Sequence, residues 1–184
     1  MSAPTLVLLA HPELRHSRMC RSLAQVARGL PGVEVRDLYA LWPDFVIDAE
    51  AERAALAPAR RLVWLHPVLW YSMPPLMKLW LDKVLVRGWS HGQGGTALQG
   101  KALLPVLSTH SRAEDFRVGG RHGRDFADFL PPYERIAALC GLRWQAPLVL
   151  HRTEASQGEG PSDEQVRAFV ERLSAPLPPH PEGG

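Results

Sequence analysis

The sequence is short of the features that would set it apart from ordinary globular proteins. It has two cysteines in 184 residues, Cys20 and Cys140, far apart and without a C-x-x-C pair. That excludes a disulfide scaffold, and both thiols read as reduced core residues in apolar helical stretches. No apolar run approaches the roughly 18 residues of a membrane span, and no basic segment followed by a long apolar one opens the chain. A cytosolic protein is expected, with peripheral attachment to a membrane partner left open. An excess of one charge is also lacking: a net charge of +2 and a pI near 8.7 are too slight for a phosphate-backbone footprint, so nucleic acid is not the expected partner. No G-x-S-x-G elbow supports a hydrolase. Gly92-Gln93-Gly94-Gly95 resembles a phosphate loop but precedes a strand, and reads as a turn.

What is present alternates between two patterns. Thr5 to Ala10, Arg61 to Leu65 and Lys101 to Leu107 are apolar runs of strand length, as in strands covered on both faces, and Val33 to Leu38 reads as a shorter strand. Pro105 conflicts with a central strand, because proline cannot donate to the ladder. Arg143 to His151 supplies a fifth strand, bent at Pro147. Between them lie amphipathic stretches: Ser17 to Leu30, the Ala/Glu-rich residues from Ala49 to Ala57, a helix opened by Pro74 and Pro75 and running to Val84, and one ending near Gly141. A last helix starts at a Ser162/Gln165 capping box. Such βα alternation predicts an α/β fold, flavodoxin-like in form: a doubly wound parallel sheet in the order 2-1-3-4-5, helices on both faces, with ligands bound outside the carboxyl strand ends. One domain is expected over residues 1–174. The Pro/Gly-rich residues 175–184 read as a disordered tail.

Three loops then fall at the ligand-binding ends. The first, His11 to Arg18, combines a hydroxyl, basic side chains and a helix start, which together attract phosphate; His11 and His16 as metal ligands lack a third partner at a recognised spacing. The second, His66 to Pro75, carries the adjacent aromatics Trp70 and Tyr71, which suit a planar ring or else pack onto the core or a subunit interface. The third, Ser108 to Gly123, has the length and glycines of a lid and holds Arg112, Arg117, Arg121 and Arg124, a basic cluster or a solvated surface.

The run W-L-H-P-V-L-W-Y-S-M-P-P-L-M-K-L-W-L-D-K-V from Trp64 to Val84, followed by G-G-T-A-L-Q-G-K from Gly94 to Lys101 and preceded by D-L-Y-A-L-W-P-D-F from Asp37 to Phe45, resembles the flavodoxin-like NAD(P)H:quinone oxidoreductases. Within them it is most similar to the KefF/KefG ancillary proteins of glutathione-gated potassium efflux systems. The likeness spans roughly residues 5–173.

The resemblance implies FMN, with FAD as the alternative, and NAD(P)H as electron donor to a quinone or related electrophile in a ping-pong reaction. It implies that His11, Ser17, Arg18, Met19 and Cys20 surround the flavin phosphate and ribityl chain, and that Val68, Leu69, Trp70 and Tyr71 line the isoalloxazine. Where the family has Thr-Thr-Gly-Gly, this chain has Ser108, Thr109, His110 and Ser111, and the two added side chains predict obstruction of close backbone approach. A tyrosine position reads Phe116. The histidine that assists charge movement is kept as His122, and with Tyr71 it is the expected catalytic pair; Phe116 and His122 would also meet the acceptor. Family members are homodimers with the site at the interface, where Trp80 or Trp89 would contribute. Two further readings stand beside the enzyme: a regulatory subunit docking on a potassium–proton efflux antiporter, and an interaction domain with a relict pocket.

Overall fold

In the computed structural model, which describes residues 5–153 and 160–176, the run Thr5–Leu9 is β1, buried along its whole length. It is followed by α1 (Arg18–Arg28), β2 (Val33–Asp37), a one-turn helix α2 (Leu38–Leu41) and α3 (Ala49–Leu56). Then come β3 (Arg61–Pro67), α4 (Pro75–Val84), β4 (Ala102–Ser108) and α5 (Pro131–Leu139). Two short strands, β5 (Arg143–Trp144) and β6 (Leu148–Leu150), and α6 (Asp163–Ser174) complete the order. The strands are all parallel, in the order β2-β1-β3-β4-β5, with β6 also on β4. The doubly wound order expected from the alternation is the one found. Residues 177–184 of the expected tail lie outside the described residues.

The pleat sorts β1 and β3 into two cores. Leu6, Leu8, Leu62 and Trp64 meet Leu76 and Trp80 of α4 and Tyr133 of α5 on one face; Val7, Leu9, Val63 and Leu65 meet Cys20 and Leu23 of α1 and Phe169 and Leu173 of α6 on the other. Cys20 and Cys140 are both buried free thiols. Trp80 is core, not interface: it is 1% exposed. Ser162 and Gln165 exchange both bonds of the capping box, which holds the entry to α6 at a gain of about 1 kcal/mol.

Three expectations are corrected. The strand from Arg61 runs two residues further than predicted, so His66 and Pro67 belong to β3 rather than to the loop. Leu38 leaves β2 and opens α2, because the Asp37 carboxylate accepts from the Ala40 N–H and caps a helix there. The fifth strand is broken, since β5 ends at Trp144 and β6 begins at Leu148, with Pro147 in the gap.

That break also resolves Pro105. Residues of β4 bond alternately to either side: the Ala102 N–H donates to Arg60 O and the Ser108 carbonyl accepts from Val68 N–H on the β3 side, whereas Leu103 O accepts from Gln145 N–H and Thr109 N–H donates to Leu150 O on the other. Pro105 therefore faces the outer side, where neither β5 nor β6 offers an acceptor, and its missing donor costs no ladder bond.

Candidate functional site

The cavity lies where the strands end. It has a volume of about 640 Å³, within the range of small-molecule sites, and its walls come from four strand ends: His11 to Met19 after β1, Pro67 as the last residue of β3, Ser108 ending β4 with Thr109 and His110 beyond it, and Arg152 with Gly160 after β6. β1 and β3, on either side of which the chain order reverses, both deliver residues to it.

At one end the cavity meets the start of α1. The Ser17 hydroxyl accepts from the Cys20 N–H at 3.2 Å, which caps the helix, and the first turn contains no acidic side chain. Unpaired N–H groups of a first turn and the helix dipole favour an anion there. Arg18 and Arg152 add positive charge, and Glu13 is the carboxylate on the wall. His11 is held below its ordinary pKa, first by burial and then by the neighbouring His110. Cys20 ties α1 to β4, its Sγ 3.4 Å from the Ser108 hydroxyl; burial pushes this thiol up, away from thiolate chemistry.

Beyond Pro67 the chain makes a two-residue turn. Leu69 and Ser72 exchange N–H···O bonds of 2.9 and 3.0 Å, and the two residues between them, Trp70 and Tyr71, have φ of 49° and 64°. This is the I′ geometry that normally selects Asn-Gly, and two aromatics in it store strain, a pattern typical of functional positions. Trp70 is 94% exposed, so the reading in which it packs into the core does not hold. Below the turn, His66 is wholly buried, its Nδ1 donating to Pro67 O at 2.8 Å, and desolvation lowers its pKa to about 4.

Tyr71 leads into a second cluster. Its ring stacks on Phe129 at 4.9 Å, and its hydroxyl lies 3.4 Å from Nδ1 of His122. His122 stacks on Phe116 at 4.2 Å and bonds the Ser111 hydroxyl through Nε2 at 2.8 Å. The loop that carries it folds back tightly: a Cβ on Gly120 would lie 2.6 Å from Asp115 O, and the His122 N–H donates to that same carbonyl. His110 and Ser111 are absent from the residues with positive φ, so no glycine is required of that backbone. One side chain forms cavity wall and the other turns to His122.

Thus His11, Ser17, Arg18, Met19, Ser108, Thr109 and His110 meet at one cavity. Cys20 lies behind its wall, bonded to Ser108; Val68, Leu69, Trp70 and Tyr71 continue from Pro67 and Ser111 from His110, and with Phe116 and His122, which pack against Tyr71 and Ser111, they form a rim outside the lining itself. The lining also contains Glu13 and Pro67, which fell within the first two loops without a role, and His16, weighed only as a metal ligand; the sequence reasoning missed Arg152 and Gly160. Arg152 was the findable one, being the first charged side chain beyond the last strand at its carboxyl end. Of the basic cluster, Arg112 and Arg124 have exposed acidic partners in Glu114 and Asp128. Among the described residues no three His, Cys, Asp or Glu side chains are grouped to hold a metal, and no helix is long and apolar enough to cross a membrane.

An open parallel sheet with a helix start free of acidic side chains and an aromatic turn at the reversal point is the arrangement of α/β proteins whose ligands bind at the carboxyl strand ends. The family model for the flavodoxin-like fold matches residues 3–175, and the chain belongs to that family. The glutathione-regulated potassium-efflux system ancillary protein KefF of Citrobacter koseri is 44% identical over 92% of this chain and 95% of its own length. Among solved structures, general stress protein 14 of Treponema denticola in complex with FMN superposes with a TM-score of 0.86 at 33% identity, covering 92% of this chain and 97% of that one. A putative quinone reductase of Klebsiella pneumoniae gives a TM-score of 0.78 at 25% identity over 94% and 84% of the two chains.

Proposed function

We propose that the chain is an FMN-dependent oxidoreductase that takes two electrons from NAD(P)H and passes them to a quinone or related electrophile. The observation that carries this reading is the junction of an anion site at the α1 N-terminus with a strained, exposed aromatic turn and a hydrogen-bonded histidine, all at the carboxyl ends of β1, β3 and β4. The donor set fits a phosphate-bearing planar cofactor, and His110 stands in the wall of an open cavity instead of filling it. The FMN in the Treponema relative supports the same choice of ligand.

When bound, the flavin supplies the redox chemistry, alternating between the donor and the acceptor. The protein's own residues do the rest. The first turn of α1, Ser17 and Arg18 bind the phosphate. Val68 to Tyr71 flank the ring, and Trp70 and Tyr71 exclude water from one side of it. His122 and Tyr71 hold a proton at Nδ1 and the phenolic oxygen, within reach of an acceptor that gains negative charge. The test is spectroscopic and kinetic: the purified chain should retain added FMN through gel filtration and reduce a benzoquinone with NADPH. Failure to retain flavin at excess FMN overturns the proposal.

A second reading, a regulatory subunit docked on a potassium–proton efflux antiporter, is favoured by the KefF relative and by the exposed apolar side chains Trp70 in the second loop and Val118 in the third. Binding to vesicles that carry such an antiporter, compared with empty ones, tests it.

A further inference from the structure

Three side chains at the rim form one hydrogen-bonded row. The Ser111 hydroxyl is 2.8 Å from Nε2 of His122, and Nδ1 of the same ring is 3.4 Å from the Tyr71 hydroxyl. The first is a full hydrogen bond and the second is at the long limit, so Ser111 is the firmer of the two attachments of the imidazole. Phe116 stacks on the ring at 4.2 Å and 20°, which fixes its plane. Stacking does not choose between the two flips of the ring within that plane, because the π-face has no preference for a nitrogen over a carbon at a given edge. A hydrogen bond does.

We propose that Ser111 is a positioning residue for His122: its hydroxyl selects the ring flip that turns Nδ1 toward Tyr71, and so makes Tyr71, His122 and Ser111 a single polar row facing the electron acceptor. Ser111 itself is well held. Its carbonyl accepts from the Thr109 hydroxyl at 2.8 Å and from the Arg152 N–H at 3.1 Å, and Thr109 in turn pairs with Nδ1 of His151 at 3.0 Å. The anchor is therefore fixed to the ends of β4 and β6, while His122 lies at the far, glycine-rich end of the same loop. The Ser111 bond thus also ties that far end back to the sheet-anchored start of the loop. The inference rests on the oxidoreductase reading for its consequence in turnover, but not for the geometry.

The test uses the full chain with Ser111→Ala, Ser111→Thr and the parent protein. Nitrogen chemical shifts of the His122 imidazole, measured without flavin, should show one well-defined pattern in the parent and in Ser111→Thr, and an averaged pattern in Ser111→Ala. With FMN loaded, benzoquinone turnover per bound flavin should fall about tenfold in Ser111→Ala and recover in Ser111→Thr, a smaller loss than removal of an acid–base group causes because the imidazole is displaced rather than removed. Unchanged His122 shifts in Ser111→Ala would overturn the proposal. Shifts that change in a protein without quinone turnover would uphold the positioning role and overturn the oxidoreductase reading instead.

Discussion

Two polar clusters set among aromatic rings differ in almost every physical respect. On the flank of the sheet, the carboxylate of Glu52 in α3 is wholly buried and accepts from Nε and Nη2 of Arg36 at 3.3 and 2.6 Å, from the indole of Trp42 at 2.9 Å and from that of Trp80 at 2.8 Å. At the carboxyl-end rim, Tyr71, His122 and Ser111 share one short bond and one long one, Tyr71 is about half exposed, and its backbone is held at positive φ. The first cluster satisfies every group it buries and stands on relaxed backbone. The second sits beside a strained turn and displays a side chain joined to it by only one long bond. A polar network that is closed holds a fold together; one that is open and strained is poised for a ligand.

Breaking the closed cluster should have the largest effect. Glu52→Ala leaves an arginine and two indole N–H groups without their acceptor and should cost about 3–5 kcal/mol in urea unfolding. A loss below 1 kcal/mol would mean that water replaces the carboxylate and that the cluster is not closed. Acid should come next. His66, buried beneath the rim, has a folded-state pKa of about 4 against 6.5 when exposed, so the unfolded chain binds its proton first. Its contribution is complete above pH 6.5 and is lost as the pH falls from 6.5 toward 4, about 3 kcal/mol in all. The His66 ring signals in an NMR titration should accordingly stay still between pH 7 and 5.

The open cluster should respond in the opposite sense. Replacing Trp70 by Asn and Tyr71 by Gly gives the I′ turn the residues it prefers and should stabilise the chain by about 1–2 kcal/mol while abolishing quinone turnover. A destabilised double variant would show that the aromatics contribute more packing than they cost in strain. The smallest effect expected is that of Arg18→Ala: about tenfold weaker FMN binding by fluorescence titration, or about 1.4 kcal/mol, with stability unchanged.

The contrast between the clusters also marks what was legible in the sequence. Continuous apolar runs identified β1, β3 and β4, and the Ser162/Gln165 pair identified the start of α6, because these are local signals; the alternation pointed to a doubly wound sheet, and the order expected for that class is the one found. Pro105 was read correctly as a conflict, but its resolution needed the break between β5 and β6 on the neighbouring strand. Glu52 was invisible, since a glutamate in an Ala/Glu-rich helix looks solvated and its partners come from β2, the segment after α2, and α4. Nothing in Trp-Tyr announces an I′ turn, which departs from the usual turn residues. At the site, the rule that ligands sit at carboxyl strand ends located the loops, and the family resemblance picked out His11, Ser17, Arg18 and His110 within them, while Glu13 was given no role and His16 was weighed only as a metal ligand. The Ser111–His122 bond joins residues whose meeting depends on the fold of a long loop.

The account stands or falls on electron flow through the rim. Under anaerobic conditions the FMN-loaded chain should lose its flavin absorbance on addition of one equivalent of NADPH and regain it on addition of one equivalent of benzoquinone, each step completed without the other reactant present. Flavin that binds but is not bleached by NADPH, or is bleached and not restored by quinone, would contradict it.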